Sequence, residues 1–277
     1  MKLTSQINTE IDLLLEEVYS ICITDGNKQD ITYFEFHRGR YKRLLCSIQN
    51  LSIPKNAKIL DIGSHYLHTS ILLKKMGYDV YGMDVSPFWG LDFVIKRSAQ
   101  FGIHKVIENQ LESVESLDNL QDNFGLVIFA EILEHITFNP ISFWKKIHRA
   151  IQVNGVIYIS TPNSLTLINI IRALKKILLL DGLGLGVSDI FSKVTYGHHW
   201  KEYSANEVKT YFSLLSDDFK LVINKYYYKK YCWTNLNAAI FKVFSAIGNL
   251  SYFFRDELEV IIVVPHKNSW KLEKPTY

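Results

Sequence analysis

AKILDIGSHYLHTSILLKKMGYDVYGMDVS, residues 57–86, decides how the whole chain is read. AKILDIG is a short apolar run that stops at a glycine, SHYLHTSILLKKMG repeats apolar residues at helical spacing, and YDVYGMDVS returns to a short apolar run. Strand, helix and strand in that order predict a parallel sheet with helices on its faces. Gly63 stands at the strand-to-helix turn and Asp84 ends the next strand 21 positions later, a spacing that lets an acidic side chain accept hydrogen bonds from ribose hydroxyls. The G-x-G-x-x-G pattern is absent. Gly63 is followed by Ser64, His65, Tyr66, Leu67 and His68, which are too bulky for a pyrophosphate to approach the backbone, so a nucleoside cofactor without phosphates fits better.

The same alternation continues outward. HKVIEN (104–109), FGLVIFA (124–130) and GVIYIST (155–161) bring the strands to five, with helices expected to start near His68, Phe88, Glu115 and Asn139. FKLVINKYYYKK (219–230) and LEVIIVVPHK (258–267) add two more, the last two antiparallel, separated by the helical pattern NLNAAIFKVFSAIGNL (235–250). Upstream, IDLLLEEVYSI (11–21) and YKRLLCSIQNL (41–51) read as helices. The expectation is an α/β fold with a Rossmann-like, seven-stranded, mostly parallel sheet and helices on both faces. Residues 1–54 form an N-terminal helical cap, and residues 55–277 form the main domain with a helical insertion at 164–197 after strand five.

The 277 residues are 48% hydrophobic and 21% charged, which fits a folded chain with a full core and excludes disorder, collagen and coiled coil. Lys and Arg number 31 against 28 Asp and Glu, too small an excess to imply a phosphate-tracking surface. Cys22, Cys46 and Cys232 are odd in number and far apart, which suggests neither a disulfide framework nor a cysteine zinc site. The N-terminal stretch MKLTSQINTEIDLLLEE has acidic residues where a secretion signal needs an apolar run, so a cytoplasmic location is expected. Within residues 165–191, Arg172, Lys175 and Lys176 interrupt the apolar sequence and argue against a transmembrane segment. A lid, a partner surface and a membrane-surface contact through 165–190 stay open.

The turn resembles the first motif of the class I S-adenosylmethionine-dependent methyltransferases, an acidic residue, x, Gly, x, Gly at the end of the first strand. Asp61, Gly63 and Asp84 match, and the resemblance runs from about Lys58 to Pro265. It implies S-adenosylmethionine as cofactor, with contacts from Asp61, Gly63, Ser64 and His65 at the first turn, from Asp84 and Val85 after the second strand, and from Glu131. His65 occupies the place of the family's second glycine. An adenine contact is expected in ENQLES, where Gln110, Glu112 and neighbouring Asn109 are candidates that spacing does not separate.

Directly after the fourth strand come Glu131, Glu134 and His135, which would share one face if a helix began there. Two glutamates at that spacing repel unless a cation or hydrogen-bond donor compensates. The plainer alternative sets Glu131 at a helix N-terminus, Glu134 in solvent and His135 in packing. Further on, YGHHWKEYSANEV offers His198 and His199. E-x-x-E-H, then TPN, then His ahead of an acidic segment, resembles the small-RNA 3'-terminal 2'-O-methyltransferases, and its first part is similar to O-methyltransferases of ubiquinone biosynthesis. The resemblance implies a divalent cation, Mg or Mn, held by Glu131, Glu134, His135 and His199. Ala205 stands where the RNA family has arginine, and the 165–190 stretch is poor in basic groups, so RNA is not favoured as acceptor.

These readings converge on methyl transfer from S-adenosylmethionine to a hydroxyl of a glycan, lipid-linked sugar or other small metabolite, with Glu131, Glu134, His135 and His199 activating the acceptor. RNA 2'-O-methylation and a non-catalytic methyltransferase-like partner subunit are the alternatives. Arg38 and Arg40 are weaker candidates for the cofactor carboxylate. His65 and His68 are expected to shape the cofactor turn, and the aromatic NKYYYKKYCW (224–233) to line an acceptor cleft or pack on the sheet.

Overall fold

The structure is a computed structural model that describes residues 2–51, 53–192, 194, 197–227 and 236–275. Elements follow in chain order as α1 (Lys2–Asp25), α2 (Lys28–Asn50), β1 (Lys58–Ile62), α3 (His68–Lys75), β2 (Asp79–Asp84), α4 (Ser86–Trp89), α5 (Asp92–Phe101) and β3 (His104–Ile107). The second half continues with β4 (Phe124–Ala130), α6 (Ile141–Ala150), β5 (Ile151–Pro162), α7 (Leu167–Leu178), α8 (Val187–Ser192), α9 (Ala205–Leu215), β6 (Lys220–Tyr226), α10 (Leu236–Leu250) and β7 (Glu257–Val264). The strands form one sheet in the order β3-β2-β1-β4-β5-β7-β6. β1 pairs parallel with β2 and β2 with β3, whereas β6 and β7 pair antiparallel. The Rossmann-like α/β architecture expected from the alternating pattern is the one observed.

By internal contacts the chain divides into two compact units, Met1–Ile128 with Lys146–Gly155, and Phe129–Lys145 with Val156–Tyr277. In the first, Ile59, Leu60 and Ile62 of β1 and Val80 and Met83 of β2 are buried, as are Ile71, Leu72 and Leu73 of α3. Ile11, Leu15 and Val18 of α1 are also buried, and α1 packs against α2 and α3. α2 starts at Asn27, whose side chain accepts the Asp30 N–H, and α5 ends at Gly102 with φ of 60°. In the second unit Phe129 lies 5.2 Å from the Trp144 ring, which meets Phe212 of α9 at 4.9 Å. α9 opens with a reciprocal capping box between Ser204 and Glu207.

Several helix expectations need correction. Near Glu115 there is only a single 3₁₀ turn, Glu115–Leu117, because the Glu108 carboxylate accepts from the Gln110 and Ser116 N–H groups and closes the segment as a loop. The helix placed near Phe88 is two pieces, α4 and α5, parted at Gly90 and Leu91. The helix expected near Asn139 is present as α6, which begins at Ile141 with the Asn139 side chain accepting the Ile141 N–H. No helix follows Glu131. That residue takes φ of 57°, a left-handed conformation that turns the chain, and a 3₁₀ turn Leu133–His135 comes next. β3 stops two residues before the expected end, and β5 runs longer than expected at both ends. The expected sixth strand extends beyond Tyr226 into positions outside the described residues, which also hold Cys232 and most of the aromatic 224–233 stretch.

Candidate active site

In the first unit, β1 ends into a tight turn. Gly63 has φ of 70°, and the N–H groups of Gly63 and Ser64 both donate to the Met83 carbonyl at 2.8 and 3.1 Å. His65 and Leu67 also take positive φ, 47° and 67°. His65 thus stands in the family's second glycine position with the backbone conformation glycine adopts freely. Two interactions hold it there: its N–H donates to Asp84 Oδ2 at 2.7 Å, and its ring stacks on Tyr33 at 4.4 Å and lies 4.1 Å from Phe88. Burial pushes the His65 imidazole down to about 3, so it stays neutral. Gly82 permits the close approach of β2, since a Cβ there would lie 3.1 Å from Ser64 Oγ and 3.2 Å from the Trp89 ring.

Asp84 joins the turns after β1 and β2. Its second oxygen, Oδ1, accepts the Val85 N–H at 2.7 Å, so each oxygen holds one backbone donor and keeps lone-pair capacity for a hydroxyl. Burial raises its pKa, and the two backbone donors oppose that. Asp61 is 3% exposed, accepts Ser70 Oγ–H at 2.6 Å, and is pushed up to about 7, chiefly by burial. Asn109 closes the loop after β2 by accepting from the Ser86 N–H and hydroxyl, whereas Gln110 is exposed and Glu112 half-buried after β3.

The helix bearing the turn rests on a buried polar network that the sequence did not reveal. Arg97 grips Asp30 through both terminal nitrogens, at 3.1 and 2.6 Å, and donates through Nε to Asp25 at 2.9 Å. Asp30 Oδ1 also lies 2.7 Å from His68 Nε2, and Tyr41 Oη lies 3.0 Å from His68 Nδ1. Burial lowers the His68 pKa, so the neutral ring donates from Nε2 to the carboxylate and accepts the tyrosine proton at Nδ1. Asp30 is held down to about 2; burial alone would raise it, and the His68 and Arg97 hydrogen bonds outweigh that. Cys22 Sγ lies 3.4 Å from His68 Nε2, and burial pushes the thiol up to about 12. Cys22, Asp30 and His68 could in geometry hold an ion, but the Arg97 guanidinium already supplies the compensating charge. Arg38 pairs with Glu16 and Arg40 donates to the His37 Nδ1.

In the second unit, Glu134, His135 and His199 converge, with one ligand atom from each within 4.8 Å of the others. The 3₁₀ turn presents Glu134 and His135 together, and the Trp200 and Lys201 N–H groups bond to the Glu134 carbonyl at 2.8 and 3.3 Å, fastening the His199 segment to that turn. His135 Nδ1 lies 2.8 Å from the His198 carbonyl, which can only accept, so Nδ1 carries a proton and Nε2 points away from that bond. His199 Nδ1 donates likewise to Glu202 Oε1 at 3.0 Å, and Asn169 steadies that carboxylate through Oε2 at 2.8 Å. The two imidazole rings meet edge to face at 4.9 Å. Glu134 is 1% exposed and accepts Thr161 Oγ–H at 2.9 Å. Glu131 is not in this group: its carboxylate accepts Ser160 Oγ–H at 2.9 Å, and its N–H bonds to the Ser160 carbonyl. His198 acts through its backbone oxygen, a role that no residue pattern signals.

The sheet runs β3-β2-β1-β4-β5-β7-β6 with β6 and β7 antiparallel, and its fold is similar to that of S-adenosylmethionine-dependent methyltransferases. The chain belongs to the family described as methyltransferase domain, whose model matches residues 35–218. Among solved structures, it is similar to a SAM-dependent methyltransferase from Archaeoglobus fulgidus, with a TM-score of 0.54 and 16% identity over 86% of this chain and 100% of that one. It is also similar to a SAM-dependent methyltransferase from Thermotoga maritima, with a TM-score of 0.52 and 13% identity over 90% of this chain and 100% of that one. No curated protein matches the sequence.

Proposed function

We propose that this methyltransferase moves the methyl of S-adenosylmethionine to a hydroxyl of a glycan, lipid-linked sugar or other small metabolite. One observation carries the choice of oxygen: two imidazoles and a carboxylate converge, and each imidazole has its Nδ1 proton engaged by a backbone carbonyl or a carboxylate. An alcohol is a weak nucleophile until its proton is taken, and a base fixed in one tautomer is suited to take it. The cofactor supplies a methyl on a cationic sulfur, already a good leaving group. Asp84 offers its remaining lone pairs to the ribose hydroxyls, and the turn from Gly63 to His65 cradles the amino-acid end. Nε2 of His135 or His199 accepts the acceptor's hydroxyl proton as the oxygen forms its bond to the methyl carbon. When bound, the cofactor would give up the methyl and keep the bonding electron pair on its sulfur, leaving as S-adenosylhomocysteine.

The same donor set fits a divalent cation. Imidazoles that donate their other N–H to a carbonyl or carboxylate, next to a carboxylate itself anchored by a hydroxyl, match the support that metal-bound histidines usually have. Glu134, His135 and His199 would hold the ion, which would supply Lewis acidity toward the acceptor oxygen.

Titration calorimetry with S-adenosylmethionine and S-adenosylhomocysteine tests the first half of the reading, and absence of binding at millimolar concentration refutes it. For the second half, His135→Ala and His199→Ala should each cost at least about a hundredfold in turnover while cofactor affinity stays within severalfold. Full activity in excess chelator assigns the histidines to proton transfer; loss that Mg or Mn restores assigns them to a cation.

A further inference from the structure

The second unit carries an apolar surface that methyl transfer does not use. α10 is inverted relative to an ordinary surface helix. Its polar residues face inward: Ser245 donates to Asp256 Oδ2 at 2.9 Å, and Asn249 donates to the same oxygen at 2.8 Å. Its apolar residues face out, with Val243 47%, Ile247 51% and Leu250 86% exposed. α7 packs beside it so closely that a Cβ on Gly248 would lie 2.9 Å from Leu167 Cβ, and Arg172 lies 4.7 Å above the Phe241 ring. From the end of α7 onward the chain exposes Leu178, Leu180, Leu183 and Phe191, with Leu180 at 95% and Phe191 at 86%. Large contiguous apolar patches are uncommon on monomeric soluble proteins.

We propose that this face docks on an anionic lipid bilayer. The charge pattern selects that occupant. Neither α7 nor α10 contains an acidic residue, and α7 carries Arg172, Lys175 and Lys176 and α10 carries Lys242, four basic groups against Asp181 and Asp189 on the exposed segment that follows α7. Basic residues interleaved with exposed leucines, with Tyr252 and Phe253 at the margin, match the composition of interfacial segments that seat side chains at the headgroup–acyl boundary. Among the described residues no helix is long and apolar enough to cross a membrane, so the contact lies along the surface. The proposal stands apart from the methyl-transfer reading, because it is read without turnover.

The test is co-sedimentation of the full chain with vesicles of phosphatidylcholine alone or of phosphatidylcholine with phosphatidylglycerol. Binding is expected on the anionic vesicles and should fall steeply with salt. Replacing Lys175 and Lys176 by alanine should weaken it about thirtyfold, from about fivefold per charge removed. Leu180→Asp with Phe191→Asp should abolish it. Both positions are exposed, so an unchanged melting temperature confirms that these variants fold. Absence of sedimentation, equal binding to neutral vesicles, indifference to the substitutions, or a stable dimer that buries the patch in place of lipid would each overturn the proposal.

Discussion

Replacing Asp61 by asparagine should stabilise the protein, and the gain should grow with pH. Asp61 is 3% exposed and its carboxyl is pushed up to about 7 from an ordinary 3.8, with burial the main cause and Asp84 adding to it. For an acid raised in the folded state the sign is the reverse of the usual carboxylate. Below about 4 both states are protonated and the group contributes nothing. As pH rises the unfolded chain ionises first, and the folded state loses up to about 1.4 kcal/mol per pH unit until it ionises near 7. The full loss above that point is about 4 kcal/mol, an upper value because local relaxation lessens it. Asparagine keeps an oxygen for the Ser70 hydroxyl, which donates to Asp61 at 2.6 Å, and carries no charge to bury. Urea unfolding of both proteins from about pH 5 to about pH 8 measures the difference. It should widen across that range and level off above 7. A gap that is the same at every pH would refute the burial argument, and a variant less stable at about pH 8 would reverse it.

Asp84→Ala removes the acceptor shared by the His65 and Val85 N–H groups, and calorimetry with S-adenosylhomocysteine should show affinity falling about ten- to a hundredfold. Arg97→Met leaves Asp30 buried without its bidentate partner and should cost about 3–5 kcal/mol in denaturant unfolding. Asp30 is held down to about 2, so its contribution is present above about 4 and fades as pH falls toward 2; the penalty of Arg97→Met should shrink over that window. Gly82→Ala forces Ser64 or Trp89 to move and should cost about 1–3 kcal/mol together with cofactor affinity, whereas equal stability would show that the turn yields freely.

Much of the sheet was legible because strands buried on both faces read as unbroken apolar runs: Phe124–Ile128 and Ile157–Ile159 leave no competing pattern. The short pieces were not. A helix near Glu115 fitted the spacing, but local backbone hydrogen bonds to the Glu108 carboxylate outweighed it. At the candidate site the adjacency of Glu134 and His135 was visible, while the geometry behind it was not. A 3₁₀ turn, not a helix, presents them, and the left-handed Glu131 aims its carboxylate at Ser160 instead. His199 was visible as a residue type and reaches the group through backbone bonds to the Glu134 carbonyl, which no side-chain pattern encodes. The Asp30, His68, Tyr41 and Arg97 network was missed for the same reason: its members come from α2, α3 and α5, and only burial makes them partners.

Asp84 carries a consequence for how quickly the protein takes up its first ligand. One carboxylate yokes two loops before anything arrives, so little ordering entropy remains to be lost on arrival. Association should therefore follow a single concentration-proportional phase in stopped-flow mixing, without the plateau that a slow rearrangement imposes.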